Sequence, residues 1–208
     1  SEPEQRGQVE FAESDEVLKH FPDVYQRVFD ERPGMMARNE ALWRDRLWQH
    51  EDSIRRGNGA FCAAYEVDGR VTGYIFYIVN MSTRTLNVRE LVGASDEASA
   101  ALWKFCLNVD LINTVEAGNR PPDDPLPWML ADPRRLRRTS SDGVWLRLVD
   151  VAAALSARRY AEEGSLVLEV EDRTCPWNAR RFALSGGPNW AECRPTNAAP
   201  NLMLTAAD

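Results

Sequence analysis

The chain has 208 residues, 44% of them hydrophobic, enough to bury a core in one large domain or two small ones. Its formal net charge of −7 and pI near 5.0 argue against a general nucleic-acid binder or a binder of anionic membranes, and make cationic ligands the better-steered partners. Cys62, Cys106, Cys175 and Cys193 form no CxxC pair, no run of eighteen apolar residues exists and the start does not read as a signal peptide, so the expectation is a cytoplasmic protein with reduced thiols, no metal and no membrane span.

Residues Ser1 to Gln8 read as a polar extension, followed by a short edge strand, Val9 to Phe11. A helical region starts at Ser14, where Phe21, Val24, Tyr25, Val28 and Phe29 repeat as one buried face until Pro33-Gly34 stops it. A second helix runs from its cap Asn39 to about Arg56, with Trp43, Leu47 and Ile54 on its inner face and the Gly57-Asn58-Gly59 cluster ending it. Ala60 to Val67 and Val71 to Val79 form a hairpin across Asp68-Gly69, and Thr83 to Val92 is a third strand. Both faces of Tyr74 to Val79 are apolar, which predicts a central strand covered on two sides.

After Gly93-Ala94 a helix begins at the cap Ser95, with Ala98, Ala101, Leu102 and Phe105 at helical spacing, and Leu107 to Val115 reads as another strand. A strand-turn-helix junction is a natural anion site, because free amides and the helix dipole converge there. Here one glycine is followed by Asp96 and Glu97, so the chain's own acids occupy the mouth and an ordinary capped helix is the better reading than a phosphate cradle. From Gly118 the composition shifts to a connector with four prolines, Pro121, Pro122, Pro125 and Pro127, then Trp128-Met129-Leu130 as an apolar anchor. The basic run Arg134, Arg135, Arg137, Arg138 reads as a solvated face or carboxylate partner, with a phosphate site as the lesser alternative. Beyond Asp142-Gly143 come a strand (Val144 to Val149), a helix capped by Asp150 (Val151 to Arg158), and strands near Ser165–Val170, Arg181–Leu184, Trp190–Arg194 and Asn201–Leu204. The last strand reads as leading into a helix cap with no helix to cover the sheet, as though part of the domain were supplied from elsewhere. His20 and His50 sit on separate helices without a nucleophile motif and read as surface or helix-end residues; Tyr25, Tyr74, Tyr77 and Tyr160 read as packing.

Several of these stretches, in order, resemble the enhanced intracellular survival (Eis) acetyltransferases: Arg89-Glu90-Leu91, Ala101-Leu102-Trp103, Asp124-Pro125-Leu126-Pro127, Asp142 to Arg147, Val151 to Leu155, Leu168-Glu169-Val170, Arg181 to Leu184 and Cys193 to Thr196. The resemblance spans about Val9 to Asp208. It implies an α+β chain: a degenerate GNAT-like domain (1–119), a connector (120–141) and a partial sterol-carrier-protein-2-like domain (142–208). It further implies part of an acetyl-CoA-dependent amine N-acetyltransferase, forming acceptor-pocket walls and oligomer contacts while an N-terminal GNAT domain or chain holds the acetyl-CoA. The implied substrate is a cationic amine of aminoglycoside or lysine type, and the implied assembly a homo-oligomer. Neither the family's catalytic tyrosine nor its terminal carboxylate maps here, so no catalytic residue is assigned and Asp208 is not equated with the family's terminus. What carries over is Trp43, matching an acceptor-pocket tryptophan, and Asp142, matching an acid that faces cationic substrates; a second pocket tryptophan falls at Val28. The alternatives are a sterol-carrier-like module for an apolar ligand and a structural oligomerisation piece.

Overall fold

The computed structural model describes residues 6–57 and 59–205, so most of the expected N-terminal extension, Asn58 and the helix cap expected after Thr205 lie outside the described residues. The chain folds as two units divided between Arg137 and Arg138.

The first unit is a five-stranded sheet in the order β1-β2-β3-β4-β5, made of β1 (Gln8–Phe11), β2 (Gly59–Val67), β3 (Arg70–Asn80), β4 (Thr85–Gly93) and β5 (Thr114–Ala117). Neighbours are antiparallel except β4 and β5, which run parallel. The β2–β3 hairpin turns at Asp68 and Gly69, with φ of 51° and 75°, as the primed turn that this dipeptide favours requires. Alternation along β3 splits the core in two. Tyr74 and Phe76 face α1 (Ser14–Glu31) and α2 (Glu40–Arg55), packing on Val17, Phe21, Val24, Trp43 and Leu47. Ile75 and Tyr77 face α3 (Asp96–Leu107), packing on Ala98, Leu102, Trp103 and Cys106. The strand expected to be covered on both sides is covered on both sides.

Two irregularities of β4 direct its polar groups. Opposite Phe76 and Tyr77 of β3, the register passes from Glu90 to Val88, leaving Arg89 as an extra residue in the ladder. Such a bulge inverts the side-chain alternation beyond it. Leu86 and Val88 therefore lie on the α3 face, as does Leu91, whereas Val92 packs on the α1–α2 face. Glu90 is swung towards that second face. In addition, β5 pairs only with Thr85 to Val88, so the strands part beyond that point and Arg89 to Gly93 have an open edge.

The expected strand Leu107 to Val115 is replaced by a longer helix, a turn with Leu111 at φ 65°, and the short β5. Val109 and Ile112 still pack on the core, which explains their apolar spacing without a ladder. The connector carries α4 (Leu126–Met129) and a 3-10 turn, Pro133–Arg135, in which Arg134 bonds Asp132.

The second unit contains α5 (Val151–Ser156) and a four-stranded sheet, order β8-β7-β6-β9, from β6 (Gly164–Glu171), β7 (Arg181–Gly186), β8 (Ala191–Pro195) and β9 (Leu202–Thr205). Asp150 caps α5 by accepting the Ala153 N–H at 2.9 Å. Val151, Leu168, Val170, Phe182, Leu184 and Cys193 form its core. The strand expected over Val144–Val149 does not form. Val144, Trp145 and Leu146 stay 84–90% exposed, because a strand needs a ladder partner and this segment has none among the described residues. It is held at its end instead: Asn178 and Trp177 donate side-chain N–H groups to the Val149 carbonyl, and Arg147 pairs with the buried Asp172.

Candidate functional site

Two places in the first unit carry polar chemistry. The first is the junction of β4 with α3. Ser95 accepts the Ala98 N–H at 3.1 Å and caps the helix. A Cβ on Gly93 would lie 2.4 Å from Ser99 Oγ and 2.7 Å from its amide, so the helix packs directly onto the glycine backbone. Glu97 does not project as a free acid over the helix mouth. Its carboxylate accepts from the Tyr65 hydroxyl at 2.8 Å and from the Arg6 guanidinium at 2.7 Å, and these bonds hold its pKa down to about 2.

The open edge of β4 is engaged from the connector. Arg120 donates from Nη1 to the Leu91 carbonyl at 2.7 Å and from Nε to Asp124 at 2.7 Å, and its guanidinium lies 5.4 Å over the Trp103 ring. Asp124 is buried, and it also accepts the Leu126 amide at 2.9 Å, which ties the turn to α4.

The second place is a cleft of about 470 Å³ between α1 and α2, lined by Leu18, Pro22, Tyr25, Arg38 and Trp43 among others. Trp43 forms part of its wall but is only 4% exposed, its indole set edge-to-face on Tyr25 at 5.6 Å and Tyr74 at 6.1 Å. Arg38 covers this aromatic corner, 4.0 Å from the Tyr25 centroid and 5.1 Å from that of Trp43. Behind it stands Glu90, aimed here by the bulge at Arg89. Glu90 accepts two bonds from Arg38 at 2.8 and 2.9 Å, one from the Tyr74 hydroxyl at 2.5 Å and one from Arg46. Burial pushes its pKa up, but the Arg38 hydrogen bonds, the Arg46 and Arg38 charges and the Tyr74 hydroxyl outweigh it, and the carboxyl titrates below its ordinary range. Arg38 is correspondingly raised: burial opposes its charge, and Glu90 more than offsets that.

Asp142 lies in the second unit, exposed in the irregular segment before α5, so Trp43 and Asp142 belong to different units. Sequence reasoning missed the Glu90–Arg38–Arg46 group; Glu90 stands beside Arg89 and near Asn87 in β4, so its strand's composition does not single it out. It also missed His50, which is half-buried with Nε2 3.0 Å from Cys62 Sγ. Burial pushes the thiol up to about 12, with Glu13 and Glu51 adding to it, and burial lowers the imidazole pKa. Both partners are therefore neutral at pH 7, and the pair is a packing contact, not an activated nucleophile. Among the described residues no group of three or more His, Cys, Asp or Glu could hold a metal, and no helix is long and apolar enough to cross a membrane.

A sheet that parts between two parallel strands ahead of a crossover helix is an acyltransferase-type scaffold, and a model of the acetyltransferase (GNAT) domain matches residues 34–148. A sterol carrier protein domain model matches residues 151–208. The chain belongs to the GNAT acetyltransferase family, with a sterol-carrier-protein-like domain following, and is homologous to the Eis N-acetyltransferases. It is 36% identical over 189 residues to N-acetyltransferase Eis of Mycobacterium tuberculosis, covering 88% of this chain and 44% of that protein. It is 35% identical over 204 residues to an uncharacterized N-acetyltransferase of Streptomyces coelicolor, covering 95% and 49%. Among solved structures, Eis1 from Mycobacterium abscessus superposes with a TM-score of 0.68 at 30% identity, over 99% of this chain and 51% of that one. The chain thus spans about half the length of the curated relatives it matches.

Proposed function

We propose that this chain supplies acceptor-pocket walls and oligomer contacts to an Eis-like, acetyl-CoA-dependent amine N-acetyltransferase and has no coenzyme site of its own. The observation that carries this reading is Arg120, whose guanidinium is locked on Asp124 and holds the Leu91 carbonyl in the gap between β4 and β5. An extended ligand arm would bind along such an open strand edge, and here it would have to displace a part-buried ion pair. The close seating of Ser99 on Gly93 supports the same view. In this reading the acetyl-CoA is held by a separate GNAT domain, and the acceptor is an amine. Trp43 walls the acceptor pocket through its edge, Asp142 offers a carboxylate to the ammonium, and exposed Val144, Trp145 and Leu146 suit an oligomer or domain contact.

Calorimetric titration of acetyl-CoA into the purified chain tests the first half. No saturable heat is expected, and stoichiometric binding overturns it. In the longer protein that contains this sequence, Trp43→Ala and Asp142→Asn are expected to raise KM for the amine while KM for acetyl-CoA stays put. An unchanged amine KM removes the wall role and leaves a purely structural part. The sterol carrier protein match over residues 151–208 favours a second reading, a binding module for an apolar ligand, which saturable uptake of a fluorescent fatty acid would support.

A further inference from the structure

The cleft between α1 and α2 brings its own cation. Arg38 lies over the faces of Tyr25 and Trp43, so the aromatic surface that would attract a ligand's ammonium is already taken. Glu90 does not cancel the local charge, because Arg38 and Arg46 share it and one positive charge is left over. At the rim, Arg44 and Glu40 neutralise each other, at 2.7 Å. Arg38 also directly precedes Asn39, the N-cap of the sixteen-residue α2, so the positive end of the helix dipole adds to the same corner.

The guanidinium has donors to spare. It has five N–H groups, and two of its bonds go to Glu90. Pro22 within α1 and Leu18 contribute apolar lining to the same cleft. The cleft therefore presents a cationic donor with unused N–H groups beside apolar and aromatic lining, in a volume suited to a small organic group.

We propose that this cleft binds a carboxylate-bearing ligand, with the carboxylate on Arg38. Resting on the function proposed above, it follows that the acceptor amine carries an acidic group, as an amino acid or a peptide terminus does. A purely cationic amine would meet the like charge of Arg38 instead.

Benzoate and benzylamine share a ring and differ in charge, and their titration into the chain, followed by the ¹⁵N signals of Arg38 Nε–H and the Trp43 indole, tests the claim. Benzoate is expected to shift both signals saturably, and Arg38→Gln to weaken that binding about tenfold or more, as losing a charge-assisted bond does. Benzylamine moving the same signals at equal or lower concentration, or no saturable shift with benzoate, overturns the proposal. If Arg38→Gln does not fold, the Arg38 signal of the unaltered chain decides. No coenzyme is present in this experiment, so its outcome is independent of whether the acetyl-CoA reading stands.

Discussion

In the first sheet consecutive residues of β3, Tyr74 to Tyr77, are all buried, alternately against α1–α2 and against α3. In the second sheet alternation is strict: Phe182 and Leu184 of β7 face the core, while Arg181, Ala183 and Ser185 point the other way, where Arg181 pairs with Glu169. The first unit thus draws its stability from apolar burial on two faces. The second has one shallow core and relies on a buried polar hub, in which Asp172 and Asn178 gather the loops around α5.

That contrast is open to direct test by chemical denaturation with probes placed in each unit. The largest effect is expected for Phe21→Ala, about 4 kcal/mol, since the ring is fully buried and stacks on Tyr74 at 4.4 Å. Phe182→Ala in the second unit is expected to cost about 3 kcal/mol, the low end for this substitution, because a one-sided core collapses more easily around a cavity. Equal losses would remove the distinction between the two cores. Next comes Asn178→Ala, expected to cost about 2 kcal/mol, because it strands the Val151 amide, leaves the Val149 carbonyl with Trp177 as its side-chain donor and takes a partner from Asp172. A loss below about 0.5 kcal/mol, as for an ordinary surface change, would mean that the hub is incidental.

How much of this was readable beforehand depends on the range of the interactions. The two-faced run at Tyr74 to Val79, the Asp68-Gly69 turn and the Ser95 and Asp150 caps are local, and a local pattern suffices for each. The Glu90 group was out of reach, because Arg46 and Arg38 lie 44 and 52 positions away and only the bulge at Arg89 turns Glu90 towards them. Arg120 was read as part of a linker, and nothing in its neighbourhood announces the Leu91 carbonyl 29 residues earlier. The segment Val144 to Val149 failed in the opposite way. Its composition is that of a strand, but pattern specifies the propensity of a strand and never its partner. Trp43 was correctly placed on an inner helix face, yet the guanidinium lying over it could not be foreseen, and that guanidinium changes the kind of ligand the corner favours.

The smallest expected effect separates the units by pH. Both histidines, His20 and His50, lie in the first unit, and burial lowers the pKa of His50 below its ordinary value of 6.5, with Glu51 acting weakly against it. A group that holds its proton less tightly folded than unfolded contributes stability in full above the unfolded pKa and loses it as pH falls towards the folded one. The first unit should therefore weaken as pH falls through His50's ordinary value of 6.5 and below it, where the second has no histidine to titrate. The depressed carboxylates, Glu90 and Glu97 in the first unit and Asp172 in the second, act only at lower pH, below their ordinary values of 4.5 and 3.8. Amide hydrogen exchange, corrected for its intrinsic pH dependence, should show opening free energies falling in the first unit alone, and His50→Gln should flatten that slope. A parallel fall in both units would place the sensitivity outside the His50–Cys62 contact, and with it the claim that the two cores answer to acid separately.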